Sequence, residues 1–197
     1  MESSLTLRNC LQSLREGKYG DFAFFKSTLV DPGESLAVRK ALELLPRDQL
    51  YKPLDLAKNY SEKSFGSELK LFMQRNKLRE ISLSRKWQHF HEMFPVQARY
   101  AKLHDSFHVL LGFNTSLNGE LGVYSFVAQQ NYSKALNKAY KAGLLFAEAF
   151  SSEKTSIQDV ICRGKRLAER NGCLLAQPLE DYLGENLLDL RESLGLL

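Results

Sequence analysis

The segment from Val96 to Leu111 contains neither glycine nor proline, and its apolar residues recur at helical spacing. Val96, Tyr100, Leu103, Phe107, Leu110 and Leu111 form one stripe, while Arg99, Lys102 and Ser106 are the only strongly polar residues opposite it. So narrow a polar face predicts a helix that is mostly buried. Inside it stand His104, Asp105 and His108. The two imidazoles are one turn apart and Asp105 lies three residues before His108, so all three project to one side, bordering the apolar stripe. Gly112 is a natural helix stop, and Asn114, Thr115 and Ser116 supply turn and N-cap chemistry for a second helix over about Leu117–Gln129. There Leu117, Glu120, Tyr124 and Val127 share a face, which turns the Glu120 carboxylate toward the core.

A carboxylate so placed is costly unless it has a partner, a proton or a metal. A divalent metal held jointly by His104, Asp105, His108 and Glu120 answers that cost. Imidazole and carboxylate without thiolate suit Zn, Fe or Mn, whereas Mg prefers oxygen and water. Histidines at i and i+4 are by themselves equally well explained as hydrogen-bonded core residues. Adding Asp105 and Glu120 within an otherwise apolar stretch moves the balance to a metal site spanning residues 104–120. The remaining histidines, His89 and His91, lie in Trp87-Gln88-His89-Phe90-His91. Their i,i+2 spacing puts them on opposite sides of a helix or on one side of a strand, and a partly exposed aromatic helix end before Pro95 is the preferred reading.

At 197 residues the chain fits one domain, 1–197, with a sizeable core. Helical patterns run along most of it. Leu5 to Leu14 is one helix; Asp31-Pro32-Gly33 is a turn; Glu34 to Leu45 is a second helix, stopped by Pro46. Tyr51 to Gly66 is the least regular part, and Ser67 opens a helix through about Lys77. Ser133 to Phe150 is long, with a broad apolar face, and Ser156 with Asp159 resembles a capping box for a helix ending near Gly172. Leu187, Leu190 and Leu194 mark a short final helix. No alternating strand pattern of useful length interrupts them, so the fold class is all-α, a single compact multi-helix domain.

Cys10, Cys162 and Cys173 are odd in number and include no C-x-x-C pair, which argues against disulfides and for a reducing compartment. The opening Met1-Glu2-Ser3-Ser4-Leu5 shows no signal or transit peptide. The best candidate for a membrane span, Phe107 to Val127, is broken by His108, Asn114, Asn118 and Glu120. The expected location is therefore cytoplasmic, or peripheral on the cytoplasmic face of a membrane. From Lys70 to Lys102 eight basic residues (Lys70, Arg75, Lys77, Arg79, Arg85, Lys86, Arg99, Lys102) face two acids, Glu80 and Glu92, an excess above the whole-chain net charge of +4. With Phe72, Met73, Trp87 and Phe90 interleaved, the stretch could attach to an anionic membrane. A solvated face is the preferred reading, and no motif supports nucleic-acid binding.

His-Asp-x-x-His followed after eleven residues by Glu, here His104, Asp105, His108 and Glu120, resembles the signature of the coenzyme Q (ubiquinone) biosynthesis protein 4 family. Ser64-Phe65-Gly66 followed by Phe72-Met73 is similar to that family's Thr-Phe-Gly segment and its helix. Leu110, Gly112, Thr115, Gly119, Glu120 and Leu121 resemble the stretch around the second half of the signature. The ending, Leu187 to Gly195, is similar to its C-terminal Leu-Arg-x-x-Leu-Gly. The likeness runs from about residue 50 to the end.

The resemblance implies an all-helical, metal-binding protein, with zinc the first choice of ion and Fe, Mn or Mg as alternatives. It also implies a polyprenylated quinone precursor or other isoprenoid lipid in an apolar channel, for which Leu111, Leu117 and Tyr124 are the candidate contacts. The implied partners are other quinone-biosynthesis proteins at a membrane surface, with homo-oligomerisation a further expectation. The implied reaction, a lyase step, is oxidative decarboxylation at C1 of the head group, with the four signature residues also catalytic. Two His and a carboxylate with open positions would suit non-haem Fe(II) oxygen chemistry. A non-catalytic prenyl-lipid scaffold is the alternative. A metal-dependent phosphohydrolase of the His-Asp type is remoter: His89 or His91 could supply its extra upstream ligand, but no suitable downstream Asp follows.

Overall fold

The structure is a computed structural model that describes residues 6–79, 81–150 and 154–197, the side chains of 148, 150 and 154–156 excepted. Among the described residues the chain is all-α, with no strand and only two isolated β-bridges. The helices are α1 (Leu7–Arg15), α2 (Tyr19–Val30), α3 (Leu36–Leu42), α4 (Phe65–Arg75), α5 (Gln88–Met93), α6 (Pro95–Leu111), α7 (Leu117–Gln129), α8 (Lys134–Phe150), α9 (Lys154–Arg170) and α10 (Leu187–Ser193).

Helix α6 is the axis of the molecule, packing against α2, α3, α4, α5, α7 and α10. Its ends are set by local chemistry. Pro95 occupies the first turn, where its missing N–H costs nothing, and Gly112 closes the helix at φ 68°, a left-handed geometry that side chains resist. The Glu34 carboxylate accepts the Gln97 backbone N–H at 3.0 Å and caps the positive end of the helix dipole. Burial pushes Glu34 up to about 7, against the Gln97 N–H and the Arg39 guanidinium. At the other end Arg163 donates to the carbonyls of Leu111 (2.7 Å) and Gly112 (3.2 Å), and Arg191 donates to those of Leu110 (2.9 Å) and Val109. A Cβ on Gly112 would stand 3.0 and 3.1 Å from these two guanidiniums.

The apolar stripe of α6 lies where its periodicity puts it: Val96, Leu103, Phe107 and Leu110 have no exposure and join Phe65, Leu69, Val123, Phe126 and Tyr132 in the main core. A second cluster, built on Phe24 and Phe25 of α2, packs beneath the opposite face through Ala98 and Ala101. Burying each such Phe or Leu side chain contributes about 1.5–3 kcal/mol.

The polar side of α6 is not a solvent face. Arg99, Lys102 and Ser106 are all buried. Arg99 makes a bidentate pair with Glu180 (2.8 and 2.9 Å) and donates to the carbonyls of Leu175 and Gln177; Lys102 reaches Glu180 and the carbonyls of Gln49 (2.8 Å), Leu50 (3.2 Å) and Lys52 (2.7 Å). Burial drives Lys102 down to about 8 despite Glu180, while Glu180 is held below its ordinary range because Arg99 and Lys102 outweigh the cost of its own burial. The basic stretch 70–102 accordingly loses Arg99 and Lys102 to the interior, and Lys86 to a pair with Glu16 at 2.8 Å; Glu80 lies outside the described residues.

Other boundaries shift modestly. The first helix begins at Leu7 behind a Thr6–Asn9 capping box, Leu5 lying outside the described residues. The helix expected from Glu34 to Leu45 is shorter at both ends. Helix α4 starts at Phe65 rather than at Ser67, because the Ser64 side chain caps it by accepting the Ser67 N–H at 3.2 Å. The expected Ser156 capping box involves a side chain outside those described, and so does the outermost apolar residue expected on α8, Phe150. Helix α2 carries no amphipathic signature, being apolar on several sides through Phe22, Ala23, Phe24 and Phe25.

Candidate metal centre

Helices α6 and α7 are joined by a short turn whose geometry sets Glu120 against the two histidines. Asn114 Oδ1 accepts the Ser116 N–H at 3.1 Å, and Ser116 Oγ accepts the Gly119 N–H at 3.2 Å, capping α7. Gly119 passes so close to Asn114 that an added Cβ would sit 1.9 Å from its carbonyl oxygen. Thr115 ties the turn to the end of α4 through Asn76, at 2.8 Å.

Three of the four signature residues converge. One donor atom from each of His104, His108 and Glu120 lies within 4.8 Å of the others, the one such group among the described residues. Glu120 Oε2 is 3.5 Å from His104 Nε2, and Glu120 Oε1 is 3.2 Å from His108 Nε2. Two donors on a tetrahedral zinc are separated by about 3.3 Å for bonds near 2.0–2.1 Å; each histidine stands near that distance from one Glu120 oxygen, while the three donor atoms together spread over as much as 4.8 Å, so a shared ion would draw them closer. Asp105 takes a different place, its Oδ1 3.4 Å from Nδ1 of His104, the ring nitrogen turned away from Glu120. That is where an outer carboxylate fixes the tautomer and aim of a metal-bound imidazole.

His108 is the most informative member. It is 1% exposed, and neither ring nitrogen is hydrogen-bonded, although Glu120 Oε1 stands 3.2 Å from Nε2. A buried, unsatisfied polar atom costs about 1–3 kcal/mol. Phe72 of α4 stacks on the ring (centroids 5.6 Å, 22°) and His104 meets it edge-on at 4.8 Å, so the imidazole is held without being satisfied.

Burial disfavours the charged form of His104, yet the carboxylates of Asp105 and Glu120 prevail and push it up to about 9. Burial would likewise raise Glu120, but His104 and His108 overcome that and hold it down to about 2. In the metal-free centre His104 is thus paired with carboxylates, and the His108 ring stands beside Glu120 as well. Glu120 is less buried than its helical face suggested, its side chain 31% exposed, so the centre opens to solvent on the α7 side.

Of the candidate lipid contacts, Leu111 is buried in the main core, Leu117 is 39% exposed, and Tyr124 is half-buried with its ring 6.4 Å from that of His104. Phe72 and Tyr100, which meets His104 edge-on at 5.6 Å, belong to the surroundings as well, a role as ring partners that the sequence reading misses. The helical spacing of Tyr100 and His104, one turn apart, is the signal for the second; the first has no local signal. A cavity of about 550 Å³ lies at the far end of α6, lined by Arg39, Leu42, Pro46, Glu92, Pro95 and Arg99 among others.

The other histidines do not join the centre. His89 is exposed. His91, expected to be partly exposed, has no exposure: its Nδ1 lies 2.9 Å from the Tyr51 hydroxyl, its Nε2 3.9 Å from Asp21, and burial drives it down to about 4. Neither supplies the upstream ligand that a His-Asp phosphohydrolase would need.

No curated protein sequence matches the chain. A crystal structure of a protein from Nostoc punctiforme, described as a ubiquinone biosynthesis protein, superposes with a TM-score of 0.67 at 20% identity, covering 96% of this chain and 94% of the other; it shares the fold. The sequence profile of the coenzyme Q (ubiquinone) biosynthesis protein Coq4 matches residues 42–197, which include α6, α7 and every residue of the centre. The chain therefore belongs to the Coq4 family of ubiquinone biosynthesis.

Proposed function

We propose that this protein holds a divalent metal through His104, His108 and Glu120, with Asp105 orienting His104, and that it acts on a polyprenylated quinone precursor. The observation carrying this reading is His108, a buried imidazole with both nitrogens unsatisfied, facing a carboxylate and a second imidazole at ligand spacing. Zinc is the ion the family resemblance implies; the two-His, one-carboxylate set also accommodates Fe(II). When bound, the ion would supply a Lewis acid beside the solvent-facing Glu120 carboxylate.

The chain's own residues do the rest. Asp105 accepts from His104 Nδ1 and keeps Nε2 aimed at the centre. Phe72 and Tyr100 fix the two rings and exclude water from their far sides. Glu120, the most exposed of the three donors, is placed to take or return a proton at the head group. Leu117 and Tyr124, on the same helix as Glu120, offer the prenyl tail an apolar path, while Leu111 supports them from the core. The implied reaction is oxidative decarboxylation at C1, in concert with other quinone-biosynthesis proteins.

The test is quinone production in cells lacking their own family member, measured beside melting temperature for wild type and Glu120→Gln. Lost quinone from a folded variant supports the reading; normal quinone would remove the metal carboxylate from the mechanism. Because the centre also joins α6 to α7, a non-catalytic lipid-binding scaffold is the second reading, and equal losses of folding and quinone would favour it.

A further inference from the structure

The outward side of α8 changes character along its length. Lys134, Lys138 and Lys141 are exposed in the first half; Ala142, Leu145 (68%), Phe146 (54%) and Ala149 are exposed in the second. By sequence the helix has a single acid, Glu148, against these three lysines, and Lys138 is partly neutralised by Asp31 at 2.7 Å. The inner side is ordinary core: Tyr140, Leu144 and Ala147 pack with Leu121 of α7 and with Ile157 and Ile161 of α9. Leu121 follows Glu120 directly, and Leu117, also exposed, lies one turn earlier. The apolar half of α8 therefore runs beside the turn of α7 that carries the metal centre's carboxylate.

We infer that this face of α8 docks onto an anionic lipid bilayer, its apolar half entering the headgroup region and its lysines contacting lipid phosphates. No helix among the described residues is long and apolar enough to cross a membrane, so the contact is interfacial. A second copy of the chain fits less well. A two-fold contact can pair the apolar halves with each other, but it offers the exposed lysines no anionic partner, which a bilayer does. The inference concerns a surface separate from the metal ligands and goes beyond the function proposed above.

The experiment is flotation of the full chain with vesicles of phosphatidylcholine, with and without phosphatidylglycerol. Wild type should bind the anionic vesicles preferentially and release with rising salt. Leu145→Glu should lower the partition coefficient by about tenfold or more, with unchanged circular dichroism and melting temperature. Replacing Lys134, Lys138 and Lys141 by Ala should lower it by about fivefold per lysine, less for Lys138. A His104→Ala, His108→Ala double variant should bind vesicles like wild type, which separates docking from the metal reading. Vesicle binding by Leu145→Glu equal to wild type would overturn the inference, as would wild type that ignores vesicles while sedimentation shows a dimer dispersed by Leu145→Glu.

Discussion

Helix α6 carries two polar clusters made from similar ingredients, and they differ in whether their polar atoms are satisfied. Around Glu180, the donors of Arg99 and Lys102 are met by the carboxylate and by backbone carbonyls of segments 49–52 and 175–177, and Gln49 donates to the same carboxylate at 2.8 Å. Around Glu120, one imidazole has a carboxylate at each ring nitrogen, and the other, deeper in the protein, is hydrogen-bonded at neither. A closed network of buried charges holds chain segments together; an open one keeps room for something else. Burial and charge alone do not separate the two roles, whereas counting unsatisfied donors does.

The comparison is broken most strongly at Glu180. Glu180→Ala leaves two cations buried without their partner and should cost about 3–5 kcal/mol, read by chemical denaturation, while the folded fraction still takes up metal. A loss below about 1 kcal/mol would show that the network is far more hydrated than its burial indicates.

Asp105→Asn sharpens the open side. It keeps an acceptor near His104 Nδ1 but removes the charge, so metal affinity should fall about ten- to a hundredfold with little change in stability. Complete loss of metal would instead make Asp105 a direct ligand.

The pH dependence is the next smaller effect. His104 stands above its ordinary value of 6.5, so its pairing stabilises the metal-free fold fully below 6.5 and is lost as pH rises through about 9; Glu120, held down from 4.5, contributes above 4.5 and is lost as pH falls through about 2. The metal-free pair is therefore strongest between 4.5 and 6.5. Metal must displace the His104 proton, so affinity should rise about tenfold per pH unit up to about 9, measured by competition with a chelator. A flat profile would mean that His104 is neutral before metal arrives. Phe72→Leu should be the mildest change, removing about 0.5–1.5 kcal/mol of ring stacking on His108 and broadening that ring's NMR signals without removing the metal.

What the sequence displays well is local. The span of α6, its stop at Gly112, the Ser116 cap and the bounds of α7 are written in periodicity and capping, so the approach of His104, His108 and Glu120 is legible in the chain itself. Family resemblance from about residue 50 agrees with the match over 42–197. The misses involve distant partners. Arg99 and Lys102 look like a solvent face because Glu180 is 81 residues from Arg99 and nothing near α6 announces it. His91 looks half-exposed because its cover comes from Tyr51 and Phe24. Helix α2 escapes periodicity because its buried face carries Gly20, Asp21 and Thr28 beside Phe24 and Phe25, while Tyr19, Leu29 and Val30 are exposed. Asp105 shares a helical face with the ligands, yet a single residue's offset points its carboxylate at the back of His104.

The central claim is that the unsatisfied cluster binds metal and the satisfied one does not. Elemental analysis of purified protein after equal metal loading and desalting tests it directly, comparing wild type, the His104→Ala, His108→Ala double variant and Glu180→Gln. About one divalent ion per chain in wild type and in folded Glu180→Gln, with none in the double variant, is the predicted result. Equal metal in wild type and in the double variant would contradict it.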